Sequence, residues 1–289
     1  MNSMDFQRKI YPKLLHISKI LLFELRLISF RSTSKELNQL SDALRYAFYK
    51  NFTDDEMQWI NKIEEIRTNL NKSKEKIAKI DFGSGNPYQT RIEKPLEDGV
   101  KIYSTVGKIS KNSSKPMSWA MVLFSLIRNT KPISCIELGT SVGISASYQS
   151  AALELNGTGY LTTLEGDKNI ARIAESTFKK LNLNNVNIRT GKFEDTLEET
   201  LTDHQPIDYV FVDGHHDEKA TIQYFNQILN YANRDSILVF DDINWSKGMQ
   251  SAWTSIYQDP RVKISVDLGA IGICMLNSSA KKKHLILPF

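Results

Sequence analysis

The chain has 289 residues, of which 41% are apolar, 24% charged and 10% aromatic: globular composition with room for one large domain and an appendage. Eight prolines and fourteen glycines exclude a fibrous or low-complexity chain, and two cysteines, Cys135 and Cys274, exclude a disulfide framework or a zinc cluster. The net charge of +4 divides unevenly, with 22 Lys+Arg against 14 Asp+Glu in residues 1–130 and 15 against 19 in residues 131–289. Basic residues on solvated helix faces account for that surplus more readily than an acidic partner, nucleic acid or a membrane surface does.

The first 80 residues read as helix. Ile10, Leu14, Ile17, Leu21, Leu25 and Ile28 recur at three- and four-residue steps and predict one apolar stripe. Lys19, Glu24 and Arg26 interrupt this segment, so it is neither a signal region nor a membrane span, and a cytoplasmic location is expected. Leu37, Leu40, Leu44 and Phe48 predict a second helix from Ser34 to about Lys50. Thr53-Asp54-Asp55-Glu56 is a capping-box pattern that opens a third. Residues 1–80 are therefore expected to form a helical cap or dimerisation region, and residues 81–116 a connecting segment with a short strand at Val100–Thr105. Within that segment Ile80-Asp81-Phe82-Gly83-Ser84-Gly85 has the look of a nucleotide loop, but no helix follows it, and we read it as a turn.

From Met117 onward strands and helices alternate. Strands are predicted at Ile133–Leu138, Tyr160–Leu164, Val186–Arg189, Ile207–Val212 and Ser236–Phe240, with helices between them and a closing strand pair at Val262–Asp267 and Gly272–Leu276. That alternation means an α/β domain over residues 117–289, a mostly parallel sheet with helices on both faces. Ligands of such sheets sit beyond the carboxyl ends of the strands.

Those ends carry the chemistry. Glu137-Leu138-Gly139-Thr140-Ser141-Val142-Gly143-Ile144-Ser145 is a glycine turn between strand and helix, where backbone can approach a ligand closely. Glu165 ends the next strand, placed to accept both hydroxyls of a ribose, while Asp167 suits the cap of the following helix. Phe193 and Glu194 follow the third strand, an aromatic and an acid able to meet an adenine edge. Asp213-Gly214-His215-His216 and Asp241-Asp242 follow the fourth and fifth strands, which should be neighbours. Three converging carboxylates repel unless a cation or a shared proton neutralises them, and hard oxygen ligands suit magnesium or another divalent ion. His216 is the natural proton acceptor beside them, and His215 the bland member of the pair.

These residues together resemble a class I S-adenosylmethionine-dependent methyltransferase, with a Rossmann-like fold and an N-terminal helical extension. The resemblance is to the catechol and caffeoyl-CoA O-methyltransferase-like group and its bacterial relatives, over roughly residues 110–276. It implies that Glu137, Gly139, Ser141, Gly143 and Ser145 belong to the cofactor motif, with Ser145 near the methionine carboxylate. It assigns Glu165 to the ribose, and Phe193 with Glu194 to the adenine. Asp213, Asp241 and Asp242 take the places of the family's metal ligands, with Asp213 also beside the cofactor and counted as catalytic. Where the catechol enzymes have a lysine base this sequence has His216, a departure that argues against a simple catechol substrate. The implied activity is divalent-metal-assisted O-methylation of a small-molecule or natural-product hydroxyl. The alternatives are metal-independent methylation of a peptide or nucleic acid, or an adenosyl-binding scaffold without turnover. Nucleic acid is not the expected partner, because the aromatic Asn/Asp-Pro-Pro motif is missing after the fourth strand. A homodimer through the N-terminal helices is compatible with the sequence.

Overall fold

The computed structural model describes residues 11–30, 35–81, 100–276 and 281–287. Ile10 and Phe82-Gly83-Ser84-Gly85 lie outside the described residues, while Ile80 and Asp81, expected to open a turn, belong to a strand. Three helices come first: α1 (Tyr11–Phe30), α2 (Lys35–Tyr49) and α3 (Asp54–Lys72). The capping box opens α3 as expected, with Thr53 Oγ1 accepting from the Glu56 N–H and Glu56 Oε2 accepting from the Thr53 N–H at 2.9 Å. On α1 the expected stripe is the wrong face. Leu21, Leu25 and Ile28 are exposed and Phe23 and Leu27 are buried, because leucines surround this helix and periodicity alone does not choose among its faces.

Two short elements between α3 and Met117 escape the sequence reading. Strand β1 (Lys76–Asp81) pairs antiparallel with the expected β2 (Val100–Thr105), and α4 (Val106–Ser113) follows at once. Then α5 (Met117–Thr130) leads into β3 (Ser134–Leu138), α6 (Ile144–Asn156), β4 (Tyr160–Glu165), α7 (Lys168–Leu181), β5 (Val186–Thr190), α8 (Phe193–His204) and β6 (Ile207–Val212). The chain continues through α9 (Glu218–Leu229), β7 (Ala232–Phe240), α10 (Lys247–Gln258), β8 (Ile264–Asp267), β9 (Gly272–Met275) and an unanticipated β10 (Lys283–Ile286).

The large sheet has the order β10-β8-β9-β7-β6-β3-β4-β5. Only β9 runs antiparallel to its neighbours; β7, β6, β3, β4 and β5 pair in parallel. β3 is buried along its whole length, and β6 at five of its six residues, as a sheet with helices on both faces requires. The order reverses between β6 and β3, so the crevice at the carboxyl ends of β3, β4 and β6 is where a ligand belongs.

The N-terminal helices share a core with the sheet domain. Leu37, Leu40, Leu44, Ile60 and Ile63 lie in one buried cluster with Leu123, Ile127 and Tyr148, and Phe52 meets Phe124 edge-on at 5.9 Å. Arg128 on α5 donates to the buried Glu56 of α3 at 2.7 Å.

Candidate functional site

A cleft of about 440 Å³ opens at the carboxyl ends of the strands, and Gly139, Ser141, Glu165, Phe193, Asp213 and His216 line it. A larger hollow of about 730 Å³ lies between α3, β1 and α7; it holds none of the strand-end residues. The glycine turn shapes the first wall. Gly139 has φ +105°, and a Cβ there would sit 2.1 Å from the Asp213 carbonyl oxygen. This glycine is what lets the ends of β3 and β6 close on each other. Ser141 adopts φ +47° and donates its N–H to Glu165 Oε2 at 2.8 Å, while its hydroxyl is buried without a protein partner. Glu165 Oε1 accepts from the Asp167 N–H at 3.0 Å. Burial pushes the Glu165 carboxyl up to about 7, against the pull of these two backbone donors. Asp167 caps α7, accepting from the N–H groups of Asn169 and Ile170 as its sequence position suggested, and its second oxygen accepts from Ile80 of β1 at 2.7 Å.

Two expected cofactor residues lie behind the turn rather than in the cleft. Glu137 is fully buried, accepting from Gln149 at 2.7 Å and Thr163 at 2.6 Å, and the Ser145 side chain also bonds to it. Strand alternation accounts for this, since Glu137 sits one residue short of the strand end and points beneath the sheet surface. Burial raises its carboxyl from an ordinary 4.5 to about 8. A carboxyl raised on folding favours the native state while protonated, so its contribution is full in acid and is lost as pH rises from about 4.5 to about 8. Glu137→Gln keeps an acceptor for Gln149 and offers N–H groups to Thr163, whose hydroxyl is then free for Thr140. We expect its melting temperature to match wild type in mild acid and to exceed it near pH 8. Equal slopes for the two proteins across that range would show that Glu137 is ionised in the fold.

Phe193 opens α8 and lies edge-on to His215 with ring centroids 5.3 Å apart. Glu194 turns outward and takes the Tyr224 hydroxyl at 3.2 Å. His215, expected as a surface residue of the turn, instead lines the cleft, stacked on Tyr224 and hydrogen-bonded to its hydroxyl.

The acidic cluster forms as the adjacency of β6 and β7 demands. His216 Nε2 lies 3.6 Å from Asp213 Oδ1 and 3.8 Å from Asp242 Oδ2, with the Trp245 ring 6.3 Å away. His215, His216 and Asp242 all have positive φ, at 63°, 41° and 52°. Left-handed backbone at non-glycine residues is costly, so the surrounding contacts must hold these two turns in place. Burial, then the charge of Asp213, pushes the Asp241 carboxyl up to about 7.

One member of the cluster was missed. Lys115, between α4 and α5, is salt-bridged to Asp241 and brings its Nζ 3.4 Å from Asp213 Oδ1. Burial works against the ammonium, but the charges of Asp213, Asp241 and Asp242 outweigh it and hold the group above the ordinary lysine value. The signal was a charge imbalance: residues 101–130 hold five basic and no acidic residues, opposite strand ends rich in aspartate.

Asp213, His216 and Asp241 each place one ligand atom within 4.8 Å of the others, while Asp242 stands outside that trio. A divalent ion there would share the two aspartates with the Lys115 ammonium. With that lysine in place the donor set does not fit a divalent cation.

Residues 136–243 match the family profile described as a methyltransferase domain. That segment of the chain is similar to a methyltransferase domain. No curated protein sequence matches it closely enough to count as a relative. Among solved structures, a caffeoyl-CoA O-methyltransferase-like protein from Staphylococcus aureus superposes with a TM-score of 0.52 at 14% identity, covering 59% of this chain and 88% of that one. The methyltransferase PaMTH1 of Podospora anserina, solved with SAH bound, gives 0.51 at 17% identity over 58% of this chain and 81% of its own. The O-methyltransferase TomG of Streptomyces achromogenes, solved with SAM, gives 0.50 at 19% identity over 58% and 83%. At these identities the likeness establishes the Rossmann-like class I methyltransferase fold. Among the described residues no helix is long and apolar enough to cross a membrane.

Proposed function

We propose that this protein transfers a methyl group from S-adenosylmethionine to a hydroxyl of a small-molecule acceptor. The observation that carries the reading is the convergence, in one cleft, of the glycine turn, Glu165 and the Asp213–His216 pair. The residues suit the cofactor: Glu165 keeps lone pairs for a ribose diol, the Ser141 hydroxyl is buried without a protein partner, and Phe193 offers a ring at the adenine end. When bound, the cofactor supplies a methyl group on a sulfonium, whose C–S bond breaks with its electron pair left on sulfur. The chain must orient an acceptor oxygen in line with that bond and remove its proton. His216 is placed for the proton, held at the mouth of the cleft between Asp213 and Asp242, whose charges stabilise the imidazolium that forms. Trp245, 46% exposed, gives the acceptor an aromatic wall. In this reading residues 1–80 cap the catalytic domain of residues 117–289, and residues 81–116 supply the facing wall through Ile109, Asn112 and Lys115.

The test is a thermal-shift titration with S-adenosylhomocysteine, followed by screening of hydroxyl acceptors with methyl-labelled donor. A ligand at a hundred times its Kd stabilises by about 2.7 kcal/mol, which raises the melting point of a chain this size by several degrees. Label transfer to a hydroxyl would establish the activity. No thermal shift would sink the cofactor assignment, and a shift without turnover on any hydroxyl would favour the scaffold reading.

A further inference from the structure

We propose that Lys115 supplies the cation of the aspartate cluster from within the chain, in place of a divalent metal ion. Its ammonium bridges Asp241 and Asp213, the two carboxylates that would otherwise be the first ligands of an ion. The pairing is an interior one. The three side chains are 12%, 11% and 2% exposed for Lys115, Asp213 and Asp241, so solvent does not screen the charges as it would at a surface. An ion carrying two positive charges would have to enter beside a fixed third.

The lysine is also held in place. Its carbonyl accepts from Arg67 Nη1 of α3 at 2.6 Å, and Pro116 directly after it restricts its backbone to extended conformations. Arg67 is itself paired with Glu64 at 2.8 Å, and Glu64 accepts from the Tyr148 hydroxyl of α6 at 2.7 Å. A chain of contacts thus runs from the helix behind the glycine turn, through the N-terminal cap, to the Lys115 backbone. This gives the cap a function: it positions the charge. Lys115 also lines the cleft beside His216. There it stabilises the negative charge that builds on an acceptor oxygen as His216 removes the proton. That consequence rests on the methyl-transfer reading, whereas the charge assignment stands apart from it.

The experiment measures Mn²⁺ binding to the full chain by electron paramagnetic resonance, without any acceptor. Wild type should bind no Mn²⁺ at the cluster, and chelator should leave its melting temperature and its S-adenosylhomocysteine affinity unchanged. Lys115→Ala removes the competing charge and should bind Mn²⁺ with an affinity roughly tenfold or more above the weakest that wild type's lack of binding leaves detectable. Adding Asp213→Asn to that variant should abolish the gain. Stoichiometric Mn²⁺ binding by wild type, lost in Asp213→Asn, would overturn the proposal, and so would a folded Lys115→Ala that gains none. Should Lys115→Ala fail to fold, Lys115→Met, which keeps the aliphatic stem, carries the same readout and the wild-type arm still decides. Failure of S-adenosylhomocysteine to bind wild type would remove the methyl-transfer reading and leave the Mn²⁺ result as it stands.

Discussion

Gly139→Val is expected to eliminate S-adenosylhomocysteine binding and to lower the melting temperature by roughly 10 °C. Two costs combine. A branched side chain at φ +105° is strained whatever surrounds it, and the new Cβ would stand 2.1 Å from the Asp213 carbonyl oxygen, far inside contact distance. Strain and overpacking of this kind amount to roughly 2–5 kcal/mol, or several degrees to more than ten in a chain this long. Nor can the overlap be relieved cheaply. Gly139 and Thr140 both donate to the Leu164 carbonyl, and Asp213 donates to that of Leu138, so the three strand ends are stitched together at this point. Moving Asp213 aside would also shift its carboxylate relative to Lys115 and His216. Gly157→Ala is the control. Gly157 also has a positive φ, 68°, but nothing lies within 4 Å of its Cβ position. It should cost about 1 kcal/mol and leave ligand affinity at the wild-type value. Equal affinities in the Gly139 and Gly157 variants would show that the turn does not shape the cofactor site.

The parallel sheet was legible because most of its strands are short apolar runs alternating with helices, three of them opened by capping side chains at Asp167, Asp217 and Ser246, and both signals are local. The same holds for the site residues that end strands: once β6 and β7 are neighbours, Asp213 and Asp241 must meet. Glu137 was misplaced because a motif read as a string does not say which residues point up into the crevice and which point down into the core. Lys115 was missed for a different reason. It lies on no strand end, and its partners are 98 and 126 residues further along the chain. Only the packing of α3 and α4 brings it there: Gly107 leaves room for the Ser73 carbonyl, which would stand 2.6 Å from a Cβ, and Ser110 donates to Asn71 at 2.8 Å. No periodicity encodes such a contact. The exposed face of α1 likewise follows from which neighbours exist, and hydrophobic spacing along one helix does not contain that information.

Glu165 should make ligand affinity depend on pH in a way that identifies it. Each of its oxygens already accepts one backbone N–H, from Ser141 and from Asp167, which fixes the carboxylate and leaves a lone pair on each oxygen for a hydroxyl. A ribose diol donates two hydrogen bonds, so it needs the ionised form. Burial raises this carboxyl to about 7, and below that value the free protein carries a proton that binding must expel. Affinity for S-adenosylhomocysteine should therefore be flat in mild base and fall by about tenfold for each pH unit below about 7. Asp241, raised to a similar value, titrates in the same range but has its charge directed to Lys115, and the variant separates the two. In Glu165→Gln one backbone N–H would face an amide N–H₂ instead of an oxygen. That loss of a charged acceptor should weaken binding by roughly ten- to a hundredfold near neutral pH. The pH slope should disappear along with it. Isothermal titration of both proteins across this range reads the two effects together. A Gln variant that binds as wild type does would remove Glu165 from the ribose. A weakened variant that kept the slope would place the titrating group elsewhere in the cleft, with Asp241 the first to substitute.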